Sequence, residues 1–136
     1  MRLILIIILF GLNSFAFGQV NKESQSLIQM CIDLDDLQQY YHKDKVEERK
    51  PLIIFNNGIV PANLSLVKFG ESVQFMTREG LFFNNIKAYL DFAKFEISSS
   101  KADIEFHYQI EGLTVLLTFE KNDGKWVIKT KKLIEN

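Results

Sequence analysis

Between Asp103 and Gly112 the chain reads DIEFHYQIEG, which places Asp103, Glu105, His107, Gln109 and Glu111 at every second position. Carboxylates and an imidazole are the donors of a Zn²⁺ or Ca²⁺ site, or the partners of a general acid–base pair. The residues between them, Ile104, Phe106, Tyr108 and Ile110, are all apolar. Strict alternation of this kind is the period of a half-buried strand. The polar set then stands on the outer side of a sheet, and an open sheet face lacks the convergence that a metal or a catalytic pair needs. We read it as a solvated face with no metal site.

The remaining reactive residues are few. His42, in YYHKDK, falls near the end of a predicted helix, where a histidine interacts well with the dipole. Cys31 falls on the apolar stripe of that helix, where a lone cysteine behaves as a small buried hydrophobe. Lys125, Lys129 and Lys131 line one face of the last predicted strand, with Lys132 beside them. Such lysines protect a sheet edge from pairing with other chains, and an anion site is their functional alternative. The sequence has no GxSxG elbow, no glycine-rich phosphate loop, no HExxH and no cysteine pair. No cofactor is therefore expected.

These residues must be positioned by an α+β framework. From Ser24 to about Tyr41, Leu27, Cys31, Leu34, Leu37 and Tyr41 recur at three- and four-residue spacing, which predicts one amphipathic helix. Pro51 then ends any helical extension through KDKVEERK. Between Leu52 and Asn85, LIIF, SLVKF and SVQFM read as short strands, while TREGLFFNN fits a helical turn or another hairpin.

From Lys87 onward the pattern predicts a meander. If Ile97 faces Ala102, then Phe95 faces Ile104 and Ala93 faces Phe106; if Glu111-Gly112 is a two-residue turn, Tyr108 faces Val115 and Phe106 faces Leu117. A fourth strand follows Asn122-Asp123-Gly124. A two-residue loop there sends Trp126 and Ile128 into the core, whereas a bulge at Gly124 sends in Val127 instead. In this register Phe92 and Leu116 flank His107 on the outer face. These three residues form a candidate interface, covered by a second layer of the domain or by another subunit.

The chain opens MRLILIIILFGLNSFAFGQ, with one Arg, an apolar run from Leu3 to Phe10 and small residues at Ala16 and Gly18. This is the order of a secretory signal peptide, and the run is too short for a stable membrane span. Residues 1–18 are expected to be the leader, cut after Gly18 or alternatively after Ala16, and residues 19–136 a single soluble domain. Loss of Arg2 leaves 15 basic against 17 acidic residues, so nothing electrostatic points to nucleic acid. A single cysteine excludes an internal disulfide, and the core must hold the fold.

The helix, the following meander and the closing FEKNDGKWVIKTKKL resemble the nuclear transport factor 2-like and cystatin-like folds. The resemblance covers the helix and about the last fifty residues. It implies a cone-like roll with the N-terminal helix packed on a mainly antiparallel sheet that ends in a four-stranded meander. The pocket acids and histidines of enzymatic members have no match here, so no functional residue is carried over. With its leader, the chain also resembles small exported proteins of Gram-negative bacteria, which implies a periplasmic or secreted location. The expected function is a non-enzymatic module that binds a small apolar ligand or another exported protein. Tyr108, Phe106 and Trp126 are the candidate ligand-binding residues. The alternatives are a small hydrolase or isomerase using Tyr108, the one titratable inward residue of the meander, and a homodimer joined through Phe92, His107 and Leu116.

Overall fold

The computed structural model describes residues 21–136. The leader expected over residues 1–18 lies outside the described residues. Among those described, no helix is long and apolar enough to cross a membrane.

Helix α1 spans residues 21–32 and buries Leu27 and Cys31 of the expected stripe, together with Ser24, Ile28 and Ile32 beside them. The continuous helix expected as far as Tyr41 is broken after Ile32. Asp33, Asp35 and Asp36 would repel the negative end of a helix dipole, but they suit the start of a new one. A 3₁₀ turn at Asp35–Leu37 follows, then α2 (Gln38–Tyr41). The Ile32 carbonyl at the break finds side-chain donors: the Tyr41 hydroxyl donates to it at 3.0 Å and Gln38 Nε2 at 3.3 Å, and Gln38 Nε2 also donates to Leu34 O at 2.8 Å. The apolar stripe survives the break, because Leu34, Leu37 and Tyr41 are all buried. His42 ends α2 with φ at 56°, and a 3₁₀ turn at Lys43–Lys45 leads into α3 (Val46–Arg49).

Eight strands follow. β1 (Ile53–Phe55), β4 (Gln74–Met76), β5 (Leu90–Ile97), β6 (Lys101–Tyr108), β7 (Leu113–Asn122) and β8 (Lys125–Glu135) form one open sheet in the order β4-β1-β5-β6-β7-β8. β1 runs parallel to β4 and β5, and β5 to β8 are an antiparallel meander. β2 (Val67–Lys68) and β3 (Glu71–Ser72) make a separate small hairpin. The undecided TREGLFFNN segment is helical: α4 (Arg78–Phe83) is capped by Thr77, whose Oγ1 accepts from Gly80 N at 3.1 Å. The segment from α1 to α2 covers one face of the sheet, and one core of aliphatic and aromatic side chains lies between the two layers, whereas α4 sits beside Phe55 and Tyr89, which alternate with the core residues Ile54 and Leu90.

The expected register holds at one end of the first hairpin and shifts elsewhere. Ile97 faces Ala102 and Phe95 faces Ile104, but a bulge between Phe92 and Lys94 leaves Ala93 unpaired. Phe92 then faces Phe106, and Leu90 faces Tyr108. The turn after β6 has four residues, Gln109 to Gly112, with a 3₁₀ turn closed by Gly112 at φ 60°. Tyr108 therefore faces Leu113 and Phe106 faces Val115, two residues from the expected pairing. A slip of two preserves side-chain parity, so the core face is as expected apart from Ile110, which is exposed in the turn.

Asp123 and Gly124, with φ 51° and 76°, make the last turn a two-residue one, and this sends Trp126 into the core. A second bulge, opposite Thr118 and Phe119, changes the parity of β8 at Lys129. Lys131 then crosses to the helix side and meets Asp36 at 3.1 Å, while Lys129 meets Glu120 at 3.0 Å on the outer face. Lys125, Lys129 and Lys131 thus do not share one face, because a single extra residue reverses the alternation.

Candidate functional site

Phe106, Tyr108 and Trp126 are structural members of the core. Phe92 stacks on Phe106 at 5.0 Å between ring centroids, and Tyr41 meets Tyr108 edge-on at 5.5 Å. None of the three expected ligand residues lines the clefts described below.

The expected outer-face interface is not assembled. The bulge at Ala93 turns Phe92 to the core side, where it is 0 % exposed. His107 instead faces Asp91 and Thr114, and its Nδ1 lies 2.9 Å from Thr114 Oγ1. Leu116 is opposite Glu105. The outer face around His107 is therefore mainly polar, with Lys94 bonded to Asp103 at 2.7 Å. Among the described residues no group of three His, Cys, Asp or Glu side chains could hold a metal ion. Cys31 is buried, and desolvation pushes its thiol well above the ordinary range.

The fold does assemble an ionic node that no local pattern revealed. Where the β6–β7 turn meets the end of α2 and the end of α3, Glu111 Oε1 lies 2.8 Å from Arg49 Nη1 and 2.9 Å from His42 Nε2. The Arg49 side chain is only 7 % exposed. Its Nη1 also donates to Tyr40 O at 3.0 Å and lies 3.5 Å from the Tyr108 hydroxyl. Burial pushes the Glu111 carboxyl upward, but the hydrogen bonds from Arg49 and His42 outweigh it and hold the group below the ordinary range. Burial likewise raises the Tyr108 hydroxyl, with Arg49 partly opposing the effect. Chemically, the node neutralises a buried guanidinium and fixes the β6–β7 turn to the helical layer.

A different surface carries exposed chemistry. Leu81 is the buried anchor of α4, so Phe82 and Phe83 project outward, 80 % and 81 % exposed. Their rings meet edge-on at 5.7 Å. The helix end is held by Asn84, whose Nδ2 donates to Gly80 O at 2.8 Å, and by the bond from Ile86 N to Leu81 O at 2.9 Å. Beside the pair lies a cleft of about 330 Å³, walled by Phe55, Tyr89 and Arg78. Arg78 sits over the Phe55 ring at 5.3 Å, and Phe55 meets Tyr89 edge-on at 6.3 Å. The adjacent FF in the sequence was a local signal for this surface, but its exposure depended on which side of α4 met the sheet.

No family model, curated protein or solved structure matches this chain.

Proposed function

We propose that the chain is a non-enzymatic binding module that works after export, in the periplasm or outside the cell, and holds another exported protein through the α4 surface. The observation that carries this reading is the Phe82–Phe83 pair, about four-fifths exposed on a short, well-anchored helix. Large aromatic side chains are enriched at the centres of protein interfaces, because they bury much apolar area while losing little conformational freedom. The neighbouring cleft, with its Arg78, Phe55 and Tyr89 walls, supplies a concave complement to the protruding pair. The burial of Phe106 and Tyr108 among other core side chains supports a surface mode of recognition over an internal apolar pocket. The leader and the resemblance to the nuclear transport factor 2-like and cystatin-like folds support an exported scaffold of this kind.

The test is photocrosslinking in the native host with p-benzoylphenylalanine in place of Phe82. A discrete adduct with a second exported protein is expected, and Phe83→Ser should abolish it. An adduct of twice the chain's own mass, or no adduct, would count against the reading.

A further inference from the structure

A second cleft, of about 490 Å³, lies between α3 and the segment 84–88. Four cationic side chains line it: Lys45, Arg49, Lys50 and Lys87. Among the described residues that line it, Glu48 is the single carboxylate. Arg49 is occupied by Glu111, and Lys50 lies 3.0 Å from the exposed Glu47 and 3.9 Å from Glu71. Lys45 and Lys87 have no carboxylate within 4 Å among the described residues, and both are exposed. Two cations thus remain available to an incoming anion.

Part of the lining is of the opposite character: Ile53, Met76, Ile86 and Ile110 are apolar. Ile110 leaves the core because the β6–β7 turn has four residues, and it is 43 % exposed. The cleft therefore combines cationic with apolar lining, at a size within the range of small-molecule sites. A purely ionic ligand would leave the apolar lining wet, and a purely apolar one would leave the lysines without a counter-charge.

We infer that this cleft binds an amphiphilic oxyanion: a carboxylate or phosphate head held by Lys45 and Lys87, on an acyl tail laid against Ile53, Met76 and Ile86. This site goes beyond the protein-binding reading and stands or falls separately from the Phe82 crosslink. The attraction of exposed lysines for an anion is screened by salt, so affinity falls as ionic strength rises.

The experiment is titration of the ¹⁵N-labelled protein with laurate, dodecyl phosphate and dodecyltrimethylammonium, each below its micellar concentration, followed by amide shifts. Saturable shifts confined to residues 45–53, 74–76, 84–88 and 110 are expected with one or both anions, and the stronger of the two identifies the head group. Lys45→Ala/Lys87→Ala should weaken that binding at least tenfold. The charge-matched Lys125→Ala/Lys132→Ala, on the distant β8 edge, should change it less than twofold. All four lysines are exposed, and thermal melting verifies that both variants fold. Equal binding of the cationic amphiphile, equal weakening by the two double variants, shifts centred elsewhere, or no saturable shift would each overturn the assignment.

Discussion

Replacing Glu111 with Gln tests the ionic node most directly. The variant keeps an oxygen near Arg49 Nη1 and His42 Nε2 but removes the charge that balances a guanidinium 7 % exposed. Stripping one partner from a buried ion pair costs about 3–5 kcal/mol. Here Arg49 keeps its bond to Tyr40 O, and the Glu111 side chain is 20 % exposed, so water replaces part of the loss. The expected cost is about 2–3 kcal/mol, read from urea denaturation at pH 7 as a lower midpoint with unchanged slope. Arg49→Met/Glu111→Gln removes both charges and should be less destabilised than the sum of the single variants, with a coupling of about 1 kcal/mol or more. The pH dependence has a definite sign. Because the folded Glu111 carboxyl is held below its ordinary range, its contribution is fully present above the unfolded value, about 4.3, and is lost as pH falls through the folded value. The gap between wild type and Glu111→Gln should thus close as pH falls below the ordinary carboxyl range. A cost under about 0.5 kcal/mol at pH 7, or additive single variants, would refute the assignment of the node as a buried charge pair.

Two further outcomes follow from the geometry. Gly112→Ala forces a side chain into left-handed backbone at φ 60° and brings its Cβ within 3.2 Å of Asn136 O. A loss of about 1–2 kcal/mol is expected in thermal or urea denaturation, and an unchanged midpoint would contradict it. Phe82→Ser/Phe83→Ser removes two rings that are about four-fifths exposed. Its stability should lie within about 0.5 kcal/mol of wild type, so that the crosslinking lost on Phe83→Ser alone cannot be ascribed to unfolding; a larger drop in the denaturation midpoint would show that the rings support the fold.

The α+β class and the inner faces of β6 and β7 were legible from residue order alone. Alternation in IEFHYQI sets parity, and parity is indifferent to whether the β6–β7 turn has two residues or four, since either leaves Ile104, Phe106 and Tyr108 on the same side as Val115 and Leu117. The apolar stripe of the helical region was legible for the same reason. Its buried positions persist although the helix breaks, because Gln38 and Tyr41 both donate to the Ile32 carbonyl at the break. What the tertiary structure alone decided were the one-residue events and the long-range meetings. The bulge at Ala93 reverses parity along β5 and carries Phe92 from the expected outer face into the core, where it meets Phe106 and leaves His107 beside Asp91 and Thr114. The bulge at Lys129 separates lysines that simple alternation would align. Arg49 and Glu111 lie far apart in the chain, and no period links them; they meet because the four-residue turn and the α2–α3 segment close over the same end of the sheet. Period specifies which side of an element is apolar. Only packing against the rest of the chain specifies where an extra residue is absorbed and which distant charges become neighbours.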